Sequence, residues 1–209
     1  MNKKHILIGV IVVVVVVVAA VLLWPGKKSV VTNYPSSGTD IIAYGDSLVQ
    51  GVGATAPDKN FVSLLSAQLG QPIVNLGVSG NTTADGVQRL PELDAYKPKV
   101  VLVLLSGNDR LRQIPQAQTL ANLSTIIENI QNRGAVVILL GVRGDFFGGG
   151  GFGSELKSLA ESRKAVYIPD VLDGLFGNNA YMSDLIHPND AGYAKIAGRI
   201  YPVLLKYIQ

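Results

Sequence analysis

Apolar residues are distributed along this chain in two ways. The first is a single block, Ile6 to Trp24, which carries no charge and contains seven consecutive valines, Val12 to Val18. As a helix rising about 1.5 Å per residue, its 19 residues span about 28 Å, close to the hydrocarbon thickness of a bilayer. Lipid obliges a backbone to satisfy its own hydrogen bonds, so even a valine run becomes helical there. The block exceeds the apolar core of about 7–15 residues in a signal peptide, and Leu22-Leu23-Trp24-Pro25 offers no small-residue cleavage site. Residues 1–28 therefore read as one N-terminal transmembrane helix, a membrane anchor, with a cleaved signal as the competing reading. Lys3, Lys4 and the amino terminus flank it on one side, Lys27 and Lys28 on the other. The slight excess of positive charge before the block favours an inside N-terminus. The remainder is then extracytoplasmic, in a periplasm or at a cell surface. Residues 29–39, with Pro35, Ser36, Ser37 and Gly38, read as a short linker.

The second kind of pattern begins at Asp40. Short apolar runs alternate with helical stripes: Ile41–Tyr44, Ile73–Leu76, Val100–Leu105, Val136–Leu140 and Val166–Ile168. Several are nearly continuous in Val, Ile and Leu, as expected for parallel strands covered on both faces. Between them, Leu120, Leu123, Ile127 and Ile130 form a stripe at helical spacing closed by Gly134. Thr82-Thr83-Ala84-Asp85 fits a capping box. A last helix is expected from Asn189-Asp190 toward Tyr207. Five strands alternating with helices predict an α/β domain over residues 40–209: a three-layer α/β/α sandwich with a five-stranded parallel sheet.

Composition narrows the function. The 209 residues include no cysteine, which excludes a disulfide scaffold, a thiol nucleophile and a Cys-based zinc site. The net charge of +3 comes from 18 basic and 15 acidic residues, but four of the lysines lie in residues 1–28 with no acid, so the rest stands at 14 against 15. No basic stripe remains for nucleic acid.

In open parallel sheets ligands collect at the carboxyl ends of the strands. Four of the five runs are followed by polar or glycine-rich segments. These are Gly45-Asp46-Ser47-Leu48, Gly77-Val78-Ser79-Gly80-Asn81-Thr82, Ser106-Gly107-Asn108-Asp109 and Asp184-Leu185-Ile186-His187-Pro188-Asn189. His187 is the only imidazole outside the N-terminal segment. One tight turn can bring Asp184 to its Nδ1, leaving Nε2 to act as a base. Ser47 is the candidate nucleophile; a serine hydroxyl needs such a base and donors aimed at the developing oxyanion. Gly80 can offer a backbone N–H and Asn108 a side-chain N–H. Each residue also has a plainer role, as a cap, a turn glycine or a turn asparagine; their joint occurrence at successive strand ends favours chemistry.

This set resembles the SGNH (GDSL-type) hydrolase superfamily, in particular the bacterial periplasmic thioesterase/lysophospholipase and arylesterase branch. Ser47 lies in the first block, Gly80 in the second, Asn108 in the third, and Asp184 and His187 form the Asp-x-x-His of the last. The likeness runs over about residues 40–205. It implies a flavodoxin-like SGNH hydrolase fold and a Ser47-His187-Asp184 triad. It also implies an oxyanion hole of Ser47 N–H, Gly80 N–H and Asn108 Nδ2. Ser106 stands where the family usually has a glycine; that glycine is not a donor, so the hole is expected to be little affected.

The reaction so implied is hydrolysis of acyl esters or thioesters, of small to medium chains or lysophospholipids, with no cofactor and no metal, by a monomeric domain. A carbohydrate O-acetylesterase acting on cell-wall or extracellular glycans would use the same residues. A catalytically silent binding domain on the same scaffold is the rival from another class. For specificity, Phe146, Phe147 and Phe152 in a glycine-rich stretch are read as an acyl-binding lid. Arg110 and Arg112 are candidates to meet an anionic head group.

Overall fold

The computed structural model describes residues 30–142 and 152–209. The predicted membrane span lies outside them; no described helix is long and apolar enough to cross a membrane.

The five expected strands are present: β1 Asp40–Gly45, β2 Ile73–Gly77, β3 Pro98–Leu104, β4 Val136–Leu140 and β5 Val166–Ile168. All neighbours pair in parallel, in the order β2-β1-β3-β4-β5. Among the described residues, seven α-helices connect and follow them: α1 Ser47–Gln50, α2 Phe61–Leu69, α3 Thr83–Gln88, α4 Gly107–Leu111, α5 Gln116–Asn132, α6 Phe152–Ser162 and α7 Asp190–Leu204.

The strands are apolar on both faces because both faces are covered. Ile41, Ala43, Val100, Leu102 and Ile138 point into one core, closed by α2 and α7 through Phe61, Leu65, Tyr193 and Ile196. Ile42, Tyr44, Val101, Val103 and Val137 point into the other, closed by α5 and α6 through Leu123, Ile127, Ile130 and Leu156. The predicted stripe on α5 is thus its buried face. Truncating such a central side chain to alanine typically costs about 2–5 kcal/mol. The three-layer α/β/α sandwich is the architecture observed.

Local signals set the helix boundaries. Thr82 caps α3 in a reciprocal box with Asp85, and Asn189 caps α7 by accepting from the Gly192 N–H. The linker is bonded along its length. Thr32 N–H donates to Lys164 O, Asn33 Nδ2 to Gln131 O and Ala135 O, Ser36 Oγ to Gly134 O, and Thr39 N–H to Lys97 O. Its polar side chains satisfy carbonyls left free at and beyond the C-terminal end of α5. Residues 32–39 of the short linker therefore form a strap across the starts of β5, β4, β3 and β1.

Candidate active site

The opposite ends of the strands carry the candidate site residues. β1 turns directly into α1, so Ser47 is the first residue of a helix. The turn is tight: a Cβ on Gly45 would lie 2.3 Å from Leu104 O and 2.4 Å from Val49 Cγ2. Asp46 caps α1 by accepting the Leu48 N–H at 3.0 Å. The Ser47 N–H donates to no group among the described residues.

His187 and Asp184 lie in the long segment between β5 and α7. Asp184 Oδ1 accepts the N–H groups of Ile186 and His187 at 2.8 and 2.7 Å. Its Oδ2 lies 2.8 Å from His187 Nδ1. On the other side of the ring, Nε2 lies 3.1 Å from Ser47 Oγ. With Nδ1 protonated, the imidazole donates to Asp184 and accepts from the serine hydroxyl. Partial desolvation works to raise the Asp184 carboxyl, but the hydrogen bonds from the His187 ring and the two amides outweigh it and hold it below the usual range. Asp184 is thus an anion wherever the ring needs a partner.

Asn108 opens the first turn of α4 and faces the same cleft. Its Nδ2 donates one hydrogen to Asn81 O at 2.9 Å, which leaves the other free. The next carbonyl back, Gly80 O, accepts from Arg112 Nη2 at 2.8 Å. Gln50 Oε1 accepts the Ser79 N–H at 2.8 Å, and Arg89 Nη1 donates to Asn81 Oδ1 at 2.7 Å. The turn bearing Gly80 is therefore held by side chains from three sides. Gly80 has φ +80°, a conformation that suits glycine, and its N–H donates to no group among the described residues.

The cleft beside Ser47 is apolar apart from these groups. Leu48, Leu111, Val142, Leu172, Phe176 and Ile186 line it, around a cavity of about 40 Å³. Val78, Leu111 and Leu185 expose apolar surface, Leu185 to 81%.

Two expectations on specificity do not match the placement observed. Phe152 is 2% exposed and packs in the core as the first residue of α6, so it is not a lid residue. Arg110 lies over its ring at 5.5 Å and lines a separate cavity with Gln113, Ile114, Gln116 and Thr119. A residue that begins an amphipathic helix is drawn inward by that helix's apolar face, and Arg110 follows its aromatic partner. Phe146 and Phe147 lie outside the described residues. Conversely, sequence reasoning passed over two buried carboxyl groups and gave Arg112 another role. Burial, opposed by the Leu48 N–H, pushes the Asp46 carboxyl up to about 7. Asp109, 1% exposed, accepts the Thr83 N–H and hydroxyl and the Thr119 hydroxyl, tying α4 to α3 and α5. Arg112 steadies the Gly80 turn. Asp46 and Asp109 flank the two motif residues in sequence, which was the available signal.

A profile described as the GDSL-like Lipase/Acylhydrolase family matches residues 43–195. The chain belongs to that family. It is accordingly an ester hydrolase of the GDSL type. Among similar proteins, the Esterase TesA of Pseudomonas aeruginosa is 30% identical over 186 residues, covering 84% of this chain and 92% of that protein. The Arylesterase of Vibrio mimicus is 31% identical over 179 residues, covering 80% and 89%. A crystal structure of TesA superimposes with TM-score 0.75 at 30% identity, covering 81% of this chain and 99% of that one.

Proposed function

We propose that this chain is a serine esterase acting on acyl esters or thioesters of small to medium chain length, lysophospholipids included. Its domain works outside the cytoplasm, tethered by residues 1–28. The observation that carries the chemistry is the 3.1 Å approach of His187 Nε2 to Ser47 Oγ, with Asp184 on the far nitrogen at 2.8 Å. Ser47 Oγ attacks the carbonyl carbon as His187 takes its proton. The oxyanion forms against Ser47 N–H, Gly80 N–H and Asn108 Nδ2. His187 then protonates the leaving alkoxide or thiolate. A water deprotonated by the same nitrogen attacks the acyl-enzyme and regenerates Ser47. The acyl group occupies the apolar cleft.

The size of the cavity supports a second reading. About 40 Å³ is roughly three times the 10–15 Å³ that one water needs on the same measure, so it takes a short acyl group such as acetyl. Longer chains must run out past Leu111. An O-acetylesterase of glycans would show this preference. The deciding experiment assays p-nitrophenyl esters from acetyl to dodecanoyl with the chain from Val30 onward and its Ser47→Ala variant. Turnover lost in the variant supports the serine mechanism, and the chain-length profile chooses between the substrates. Equal turnover in both proteins would refute Ser47 as nucleophile.

A further inference from the structure

The loop that carries Asp184 and His187 has no hydrogen bond to the sheet among the described residues. The hydrogen bonds of residues 181–189 stay within 178–193, apart from the contact of His187 Nε2 with Ser47 Oγ. Ser183 N–H and Oγ both donate to His187 O, and Asn189 Nδ2 donates to Ala180 O and Met182 O. Met182 buries in the core. The loop is therefore a closed unit riding on the start of α7. Its polar ties toward the nucleophile come from the residues that follow α1.

Ser47 O accepts the Gly51 N–H at 2.9 Å and the Val52 N–H at 3.0 Å. Val52 O in turn accepts the Tyr193 hydroxyl of α7 at 2.6 Å. The Thr55 N–H and hydroxyl donate to the two carboxylate oxygens of Asp190, the first residue of α7, at 2.8 and 2.6 Å. Between these ties Gly53 has φ +94°, and a Cβ there would lie 2.3 Å from Ser183 Oγ, 2.5 Å from Pro188 O and 3.1 Å from His187 Cβ. We infer that residues 51–55 are a brace that sets the distance from His187 to Ser47, with Gly53 and Asp190 as positioning residues. The inference rests on the Ser47–His187 chemistry proposed above.

The spacing leaves little slack. Nε2 lies 3.1 Å from Oγ, near the upper end of the roughly 2.6–3.2 Å over which a side chain serves as a general base. The Thr55–Asp190 pair is charge-assisted and uses both carboxylate oxygens, so it resists rotation as well as separation. It holds the start of α7, and with it His187, against the segment leaving α1. Gly53 lets that segment meet the base's loop backbone to backbone. A side chain at Gly53 must move Pro188 O from 2.5 Å to an ordinary contact of at least 3.4 Å, which displaces the base by about 1 Å. Misplacement on that scale typically costs about 10²-fold in rate. If the brace gives way instead, Ser47 moves with it, because its own carbonyl holds Gly51 and Val52.

The test counts active sites and times them. The full-length protein and its Gly53→Ala, Asp190→Ala and Asp190→Asn variants are each mixed with excess ethyl p-nitrophenyl methylphosphonate. Ser47 Oγ bonds to phosphorus and p-nitrophenolate leaves, so the amplitude of release counts competent protein and its rate reports the activation of Ser47. Every protein should release about one equivalent. The rate should fall about 10²-fold in Gly53→Ala and several-fold in Asp190→Ala, with most of the latter loss restored in Asp190→Asn. Both Asp190 variants lose the charge at the start of α7, but asparagine still accepts from the Thr55 N–H and can donate to its hydroxyl, so their difference reads the two bonds alone. An unchanged rate in Gly53→Ala or Asp190→Ala, or equal losses in the two Asp190 variants, overturns the brace. A smaller amplitude at an unchanged rate also overturns it, because that is lost fold rather than lost position; if Gly53→Ala does not fold, the Asp190 pair decides. No release from the parent protein, or equal release from Ser47→Ala, overturns the proposed chemistry and the brace with it.

Discussion

Replacing Asp46 by asparagine is expected to stabilise the protein in a way that depends on pH. Asp46 is 3% exposed, and its carboxyl is pushed up from 3.8 to about 7, chiefly by burial, with Asp109 adding to the rise. The folded chain thus keeps this proton up to pH about 7, whereas the unfolded chain releases it near 3.8. Between those values the folded state binds more protons, so stability falls as pH rises. The group's contribution is full below 3.8 and lost above about 7. Three pH units at about 1.36 kcal/mol each give a span of ~4 kcal/mol, an upper value because neighbours relax around an anion. Asparagine retains the oxygen that accepts the Leu48 N–H, so the cap on α1 survives. The assay is urea unfolding followed by far-ultraviolet circular dichroism from pH 5 to 8 for both proteins. The other carboxyls cancel in the difference. Asp46→Asn should gain about 1.5 kcal/mol at pH 5, rising to ~4 kcal/mol above pH 7. A gain that does not change with pH, or a loss at pH 8, would refute a protonated buried Asp46.

The remaining expectations concern the reaction and the backbone. Ser47→Ala should reduce ester turnover to background with an unchanged dichroism spectrum. Asn108→Ala should lower kcat by about 10²–10³, the usual cost of one oxyanion donor, measured on p-nitrophenyl acetate. Arg112→Ala should lower kcat several-fold with little change in KM, because it frees the carbonyl of Gly80 rather than removing a substrate contact; initial rates over a substrate series separate the two. Ser106 has φ +128°, and the strain of a side chain there, about 1–3 kcal/mol, should exceed the added chain entropy of glycine, about 0.5–1 kcal/mol. Ser106→Gly should therefore raise Tm by a few degrees in a thermal melt.

Much of this organisation is legible in the residues because two periodicities are strong. Continuous Val/Ile/Leu runs mark strands buried on both faces, and Val136–Leu140 has no other way to satisfy five buried apolar residues in a row. The motif residues were also legible, since Ser47, Asn108 and His187 each follow a strand end and a sheet gathers such ends into one crevice. What escaped was set by packing rather than pattern. Nothing local distinguishes Phe152 from Phe146 and Phe147 in a glycine-rich stretch; the amphipathic face of α6 decides that Phe152 goes inside. The strap escaped for a related reason. Thr32, Asn33 and Ser36 have the composition of a linker, and only the carbonyls at the end of α5 turn that composition into anchorage.

In the proposed mechanism, burial of Asp46 and activation of Ser47 have one physical origin. The proposed donors at Ser47, Gly80 and Asn108 would stabilise an oxyanion well only where water is excluded, because a lower local dielectric strengthens each charge–dipole contact. The apolar lining of Leu48, Leu111, Leu172 and Phe176 supplies that exclusion. The same exclusion disfavours a second anion beside the nucleophile, so Asp46 takes up a proton. Asp184 escapes this fate because its carboxylate sits at the edge, its side chain 52% exposed and held by two amides and the imidazole. The two aspartates thus divide a single gradient of solvation. The one at the surface stays charged and holds the His187 ring; the one inside keeps its proton below pH about 7 and serves as a cap. Moving the gradient, for example by a polar substitution at Leu172, should lower the Asp46 pKa and weaken the oxyanion donors together, and a variant in which only one of them changed would show that the two are separable.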